Sequence, residues 1–249
     1  EGRRFKSVPR NQLMIKKIIR YLDRKLLFNL FYKIYLIIII YKSKIFLKNY
    51  PYLKIQEHIL INNKFSELCE KFITDKGGLI KNSNKRNFHF YSSFYHEYFN
   101  NNKENIKLIF ECGIGSTDKN IKSNIFGKNS PGASLKVLKN YFSNAEIYGG
   151  DIDKKTFFKE SRINTLYVDQ LNDRSILDMW AKIGKKDFDL IIDDGMHTLD
   201  ASYNFFKYSF ENLKYDGLYI IEDVHIAYLK KLTKKLSKFK PLIVTTHKE

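Results

Sequence analysis

The residues in this chain best suited to chemistry lie between Phe188 and His197. There, two carboxylates, a glycine and an imidazole follow a short apolar run, Leu190-Ile191-Ile192. A run that short, bounded by Asp and Gly, reads as a buried parallel strand rather than a core helix. In an open α/β sheet, ligands bind outside the carboxyl ends of the strands, so Asp193, Asp194 and His197 stand where chemistry is expected. A second apolar run, Leu218 to Ile221, ends in Glu222-Asp223. If the two strands are neighbours, their ends bring these acids and His197 into one cleft. Carboxylates held that close need a proton or a cation, and an oxygen-rich set suits a hard divalent ion. Taken singly, each acid is more simply a solvated loop residue. With a strand before both pairs, the set reads as functional.

The elements that must position these residues follow one another from Lys107 onward. Leu108 to Cys112 is a predicted strand closed by Glu111-Cys112-Gly113-Ile114-Gly115. Two glycines after a strand let the backbone pass close to a ligand. The third glycine of a dinucleotide fingerprint is missing, and a loop, Ser116 to Gly132, follows instead of a helix. Ala133 to Phe142 is the crossover helix. Ile147 to Gly150 is the second strand and ends in Asp151-Ile152-Asp153; an acid there, after a Gly-rich first turn, is placed to bind ribose hydroxyls. Thr165 to Val168 is the third strand and ends in Asp169-Gln170. Helices are expected over Ser175–Ile183, Leu199–Leu213 and His225–Phe239, with a sixth strand over Pro241–Thr246. This order predicts an α/β fold over residues 106–249, a mainly parallel sheet with helices on both faces.

Residues 55–105 read as a helical segment leading into that core. Phe65, Leu68, Cys69 and Phe72 have helical spacing, and Gly77-Gly78 is expected to end the helix as its C-cap. Asn82 to Asn87 is a polar loop. His89, Tyr91, Phe94, Tyr95, Tyr98 and Phe99 form an aromatic patch, helical from about Ser92, that is either core packing or a wall of the cofactor pocket.

Residues 1–54 form a third segment. They hold fourteen Lys and Arg against two acids, +12 of the net +17, so the rest carries +5 and a nucleic-acid groove across it is not indicated. Met14 reads as a natural start, with residues 1–13 an upstream remnant. Ile15, Ile18, Ile19, Leu22 and Leu26 line one face of a basic amphipathic helix. Leu26 to Tyr41 is apolar except for Asn29 and Lys33, and its 16 residues fall short of a spanning helix, which needs ~20. Residues 14–48 are therefore expected to meet either protein, including a second copy of the chain, or the anionic inner face of a membrane. Cys69 and Cys112 show no metal spacing and require no disulfide, which points to the reducing cytoplasm.

Alternating strands and helices, an E-x-G-x-G first turn and an acid closing the second strand together resemble a class I S-adenosylmethionine-dependent methyltransferase. Thr74-Asp75-Lys76-Gly77, His89, Tyr91, Gly132-Ala133-Ser134-Leu135, Tyr148-Gly149-Gly150-Asp151-Ile152-Asp153, Asp193-Asp194-Gly195-Met196-His197 and Ile221-Glu222-Asp223 narrow the resemblance. They look like the metal-dependent O-methyltransferases of macrolide deoxysugars, which have relatives in polysaccharide gene sets. The resemblance implies S-adenosylmethionine as cofactor, Mg²⁺ or Mn²⁺ as metal and a sugar or glycan as acceptor. It implies that Glu111, Gly113, Gly115, Asp151, Asp169, Gln170 and Asp193 contact the cofactor. It makes Asp194, Glu222 and Asp223 the metal ligands and His197 the base. Two departures stand out: Met196 replaces the usual Ser, and the strand hairpin that closes the family's sheet is not visible.

Two rival readings follow from the same residues. A catechol-type O-methyltransferase also uses metal carboxylates at these strand ends. A base-amino methyltransferase would carry a proline motif where Asp193-Asp194-Gly195-Met196 stands. The basic N-terminus also fits a non-catalytic membrane-surface protein with a methyltransferase-like fold.

Overall fold

The structure, a computed structural model, describes residues 33–35, 38, 41–42, 45–57, 63–77, 89–121, 123–125 and 130–248. The amphipathic run Ile15–Leu26, most of Leu26–Tyr41, Gly78 and the polar loop Asn82–Asn87 lie outside them. The chain divides into two compact units, Glu1–Asn49 and Tyr50–Glu249. The described part of the first unit is helical up to Lys48, and Ile34, Ile38, Tyr41 and Ile45 are exposed on it. Among the described residues, no helix is long and apolar enough to cross a membrane.

The second unit is built on six strands: β2 (Leu108–Cys112), β3 (Glu146–Asp151), β4 (Lys159–Glu160), β5 (Ile163–Tyr167), β6 (Phe188–Asp193) and β7 (Leu213–Ile221). Their order is β4-β5-β3-β2-β6-β7, parallel throughout except for the short β4–β5 pair. The chain winds outward from β2 on one side and then returns to β6 on the other. The reversal opens a crevice at the carboxyl ends of β2 and β6, where ligands of such sheets bind.

Side-chain alternation along the strands builds the two faces. Ile109, Ile147, Leu190 and Ile192 face one way and bury Phe65, Leu68, Tyr95, Phe99, Leu135, Leu138 and Phe142. These come from α1 (Lys64–Phe72), α2 (Tyr91–Phe99), α3 (Ala133–Tyr141) and the residue closing α3. Phe110, Tyr148 and Ile191 face the other way, onto Ile176, Met179, Trp180 and Phe205. These belong to α4 (Asp173–Ile183) and α5 (Leu199–Ser209). A strand with apolar side chains on both faces reads as a continuous apolar run, which is why Leu190 to Ile192 shows no alternation in the sequence.

Three expectations are corrected. The C-cap of α1 is Ile73, in the left-handed region at φ 59°, and not Gly77, which pairs with Phe90 in a short bridge. The expected Leu199–Leu213 helix stops at Ser209 and passes through a 3-10 turn straight into β7, which is longer than its apolar run because Gly217 accommodates a register shift beside Phe188. A strand over Pro241–Thr246 is present as β8 (Ile243–Lys248), but it pairs in parallel with β1 (Tyr52–Glu57) in a separate two-stranded sheet. Residues 55–57 fall in the expected helical segment but belong to β1; the pairing that makes them a strand lies some 190 residues along the chain, and no local pattern reports it. α6 (Ile226–Lys235) covers Phe206 and Tyr219 at the β7 edge.

The first turn closes tightly on the fourth. A side chain at Gly113, φ 85°, would come within 2.0 Å of the Asp194 carbonyl oxygen, whereas one at Gly184, φ 64°, would meet only Ala181 O at 3.9 Å. Gly113→Ala is therefore expected to cost more than ~2 kcal/mol, strain plus displaced backbone, and Gly184→Ala about 1 kcal/mol. Urea unfolding of the two variants tests this; equal losses would mean the 113–194 contact is slack.

Candidate functional site

The alternation that builds the core also sorts the acids. Glu111 follows Ile109 by two residues, Asp194 follows Ile192, and Glu222 follows Ile220, so all three continue the face covered by α1, α2 and α3. Asp193 continues the opposite face. The adjacent carboxylates Asp193 and Asp194 accordingly serve different surroundings.

Asp193 is 1% exposed and accepts a hydrogen bond from Gln170 Nε2 at 2.6 Å. Gln170 Oε1 in turn accepts from the Met196 amide at 2.7 Å, so one side-chain amide braces both ends of the Asp-Asp-Gly-Met turn. Gly195 is required there, since a side chain would stand 2.1 Å from Gln170 Oε1. The resemblance implies that Gln170 contacts the cofactor; its amide is turned inward to this brace. Asp169 sits at the end of β5 and accepts from the Leu171 amide at 2.9 Å.

On the other face, Lys76 reaches the centre of the acids. Its ammonium lies 2.5 Å from Asp194 Oδ2 and 3.3 Å from Glu111 Oε1, and it forms an ion pair with Glu222 Oε2. The tyrosine hydroxyls of α2 complete the set. Tyr95 donates to Glu222 Oε1 at 2.6 Å, and Tyr91 donates to Asp223 Oδ1. His89 stacks on Tyr91 and holds Nδ1 3.1 Å from the same Asp223 oxygen. The aromatic patch therefore does both jobs: Tyr95 and Phe99 are core, while Tyr91 and His89 line the cleft. Burial works against the Lys76 charge, but Asp194, Glu222 and Glu111 outweigh it and hold its pKa well above the ordinary lysine value. Burial pushes the Asp194 carboxyl well up, with Lys76 opposing and the neighbouring acids adding to the rise. Burial and the nearby Glu222 raise both phenols, which keeps them hydrogen-bond donors.

Of the predicted metal ligands Asp194, Glu222 and Asp223, all reach the cleft, but both Glu222 oxygens are engaged by Lys76 and Tyr95. Among the described residues, the group whose ligand atoms converge, within 4.8 Å of one another, is Asp194, His197 and Asp223. His197 is in the left-handed region, φ 55°, just before the Thr198 N-cap of α5, with Nε2 3.9 Å from Asp194 Oδ1. A converging pair of carboxylates and an imidazole fits a divalent cation.

The cofactor side is built from β2 and β3. Glu111 is 0% exposed; Ser134 donates to its Oε2 at 2.7 Å, while Oε1 accepts no hydrogen bond and faces only the Lys76 charge. A buried carboxylate oxygen without a donor is a place for a ligand's N–H or O–H. Gly113 and Gly115 both hold positive φ and keep the turn bare of side chains. Asp151 braces this turn, its two oxygens accepting from the amides of Ile114 at 3.0 Å and Asp153 at 2.9 Å. Each oxygen retains a second lone pair for a hydroxyl donor. Asp153, partly exposed beside it, takes the Ser116 hydroxyl at 2.5 Å. Lys76, His89, Tyr91 and Ser134 stand in the motifs that carry the resemblance, but their types and spacing, and those of Tyr95, do not by themselves mark them as partners of the acids.

No protein-family model matches the chain. Among solved structures, MycE methyltransferase from the mycinamycin biosynthetic pathway, in complex with Mg and SAH, superposes with a TM-score of 0.54 at 27% identity, over 69% of this chain and 40% of that one. The fold is that of a class I methyltransferase. A further MycE complex, with Mg, SAH and mycinamycin VI, superposes equally well, TM-score 0.54 at 26% identity over 69% of this chain and 42% of that one. Curated relatives of this methyltransferase fold include the mycinamicin VI 2''-O-methyltransferase of Micromonospora griseorubida, 32% identical over 163 residues, and the demethylmacrocin O-methyltransferase of Streptomyces fradiae, 30% identical over 166 residues. Each match takes 66% of this chain, and 36% and 37% of the relative, respectively. The chain thus spans a little over a third of the length of the curated relatives it matches.

Gln170→Ala removes the brace between the third strand's end and the Asp193–Met196 turn. The expected loss is ~1–3 kcal/mol, the cost of stranding a buried carboxylate and an amide. Chemical denaturation checks it, and a loss below about 0.5 kcal/mol would show the bridge to be idle.

Proposed function

We propose that this chain is the catalytic domain of an S-adenosylmethionine-dependent O-methyltransferase that acts on a sugar hydroxyl of a glycan or glycosylated metabolite. The observation that carries the reading is the meeting of Glu111, Asp194, Asp223 and His197 at the carboxyl ends of β2, β6 and β7. The relatives' names, all sugar-ring or macrolide O-methyltransferases, and the Mg and SAH in MycE support the same class. The catechol-type and non-catalytic readings gain no comparable support.

When bound, S-adenosylmethionine supplies an activated methyl, and Mg²⁺ or Mn²⁺ lowers the proton affinity of a coordinated hydroxyl. The chain's own residues then have separate tasks. Glu111 Oε1 receives a donor from the methionine half, Gly113 and Gly115 let the cofactor lie against the backbone, and Asp151 accepts ribose hydroxyls. Asp193 and Asp169-Gln170 would contact the cofactor from the ends of β6 and β5. Asp194 and Asp223 hold the ion; Mg²⁺ prefers oxygen ligands and commonly takes one or two carboxylates with water and substrate. That leaves the His197 imidazole to accept the proton of the acceptor hydroxyl, with Asp194 beside it to stabilise the imidazolium. Glu222, held by Lys76 and Tyr95, would act through them and not as a ligand. Tyr91 and His89 orient Asp223.

We further propose a cytoplasmic location, with residues 14–48 resting on a second copy of the chain or on the inner leaflet. The basic sequence and the exposed Ile34, Ile38, Tyr41 and Ile45 support such a contact. Salt-sensitive co-sedimentation with anionic vesicles selects the leaflet; a dimer indifferent to vesicles selects the copy.

Two experiments test the core reading. Activity on a diol sugar is expected to vanish in excess chelator and to return with Mg²⁺ or Mn²⁺; full turnover in chelator would remove the metal from the mechanism. His197→Ala is expected to lower turnover by about 10²–10⁴-fold, the worth of a positioned base, while calorimetry finds S-adenosylhomocysteine binding unchanged. Unchanged turnover would make His197 structural.

A further inference from the structure

Lys76 is the one cation of the acid cage among the described residues, and it is 4% exposed. Its three carboxylate partners come from the ends of three strands: Glu111 in β2, Asp194 after β6 and Glu222 after β7. Lys76 itself comes from none of them but from the turn after α1. The position of that turn is set independently, because the Lys76 carbonyl oxygen accepts from the amides of Tyr91 and Ser92, both at 3.1 Å, at the start of α2. Moving the lysine would uncap α2.

The contacts divide each acid in a particular way. Asp194 gives Oδ2 to Lys76 and turns Oδ1 toward His197. Glu222 gives one oxygen to Lys76 and the other to Tyr95, and it stands outside the converging Asp194–His197–Asp223 group. Glu111 presents one oxygen to Lys76 at 3.3 Å and the other to Ser134. Without a positive charge in their midst, these three buried carboxyl groups would repel one another or have to take up protons, at a cost to the fold. An ammonium on a covalent stem supplies that charge whether or not an ion is present.

We propose that Lys76 is a tethered cation that replaces a second metal ion: it keeps Glu111, Asp194 and Glu222 assembled, and confines the exchangeable divalent ion to the Asp194–His197–Asp223 side. It is a positioning residue, acting on the reacting groups through Asp194 and Glu111. The inference rests on the acid cluster being a cation site, as in the function proposed above, and adds that the cage carries a permanent charge of its own.

The test is Lys76→Met, which keeps the stem length and removes the charge, together with the double variant Lys76→Met/Glu222→Gln. Thermal unfolding is followed for the full chain in chelator and in Mg²⁺, with no cofactor present. The parent is expected to gain from Mg²⁺ only what binding at the Asp194–His197–Asp223 side supplies. Lys76→Met is expected to be destabilised in chelator and substantially restored by Mg²⁺, because the ion now fills the place of the ammonium. The double variant, with one carboxylate charge fewer, is expected to recover much of that loss in chelator and to respond less to Mg²⁺. If the Lys76→Met loss ignores Mg²⁺ and is not relieved by Glu222→Gln, the lysine is only a packed strut and the proposal is wrong. A variant that melts like the parent overturns it equally. If Lys76→Met alone does not fold, the double variant decides: folding supports the charge role, and failure to fold overturns it. A parent that fails to bind S-adenosylhomocysteine would remove the methyltransferase reading and leave this measurement standing.

Discussion

Three carboxylates and one ammonium share a buried pocket, and much of the site follows from that crowding. Glu111, Asp194 and Glu222 lie too close together in a buried crevice to do without an opposing charge. Lys76 supplies it, and Tyr95 fills the remaining oxygen of Glu222. Both come from the segment before the sheet. That segment is therefore bound to the core twice, once by the apolar packing of Phe65, Leu68, Tyr95 and Phe99, and once by this ion cluster. The packing brings the helices to the sheet, and the charges set how deep they sit.

The backbone makes room for the cluster. Gly113 lets the first turn lie against the Asp194 carbonyl, and Gly195 lets Gln170 close over the fourth turn. Asp151 ties the first turn to the second through two amide donors. These are short-range constraints between four strand ends. They leave the exposed side of Asp194, His197 and Asp223 open for chemistry, while the opposite side of the same acids is filled by protein. A carboxylate with one oxygen held and one free keeps its direction without losing its function. Asp194 is arranged in this way, and Asp223, held through one oxygen by Tyr91 and His89, follows the same rule.

Much of this was legible in the residues themselves. Short apolar runs ending in acids gave the strands β2, β3, β5, β6 and β7 to within a few residues, except for the early start of β7. Turn glycines gave the crossover positions. Strand parity was also present in the sequence: Ile109 and Glu111, Ile192 and Asp194, Ile220 and Glu222 share a face because side chains alternate with period two. Parity puts Asp193 and Asp194 on opposite faces, although it says nothing of what each will meet.

Tertiary structure alone decided the partners. A lysine near a helix end is ordinarily solvated, and nothing local marks Lys76 as buried beside residues 118 and 146 positions away. The same is true of Gln170, whose amide is committed to Asp193 and Met196, and of β1, whose partner strand lies near the other end of the chain. The α1 cap falls on Ile73, whose left-handed backbone bonds the carbonyls of Cys69 and Glu70 at the end of the helix. The sequence by itself determined the six-stranded core's main strands, most of its helices and which acids stand at the strand ends, since those depend on periodicity and local backbone preference. Which charges are neutralised, and by whom, depends on burial and on distances between residues far apart in the chain, and those exist only once the sheet and its covering helices have closed on one another.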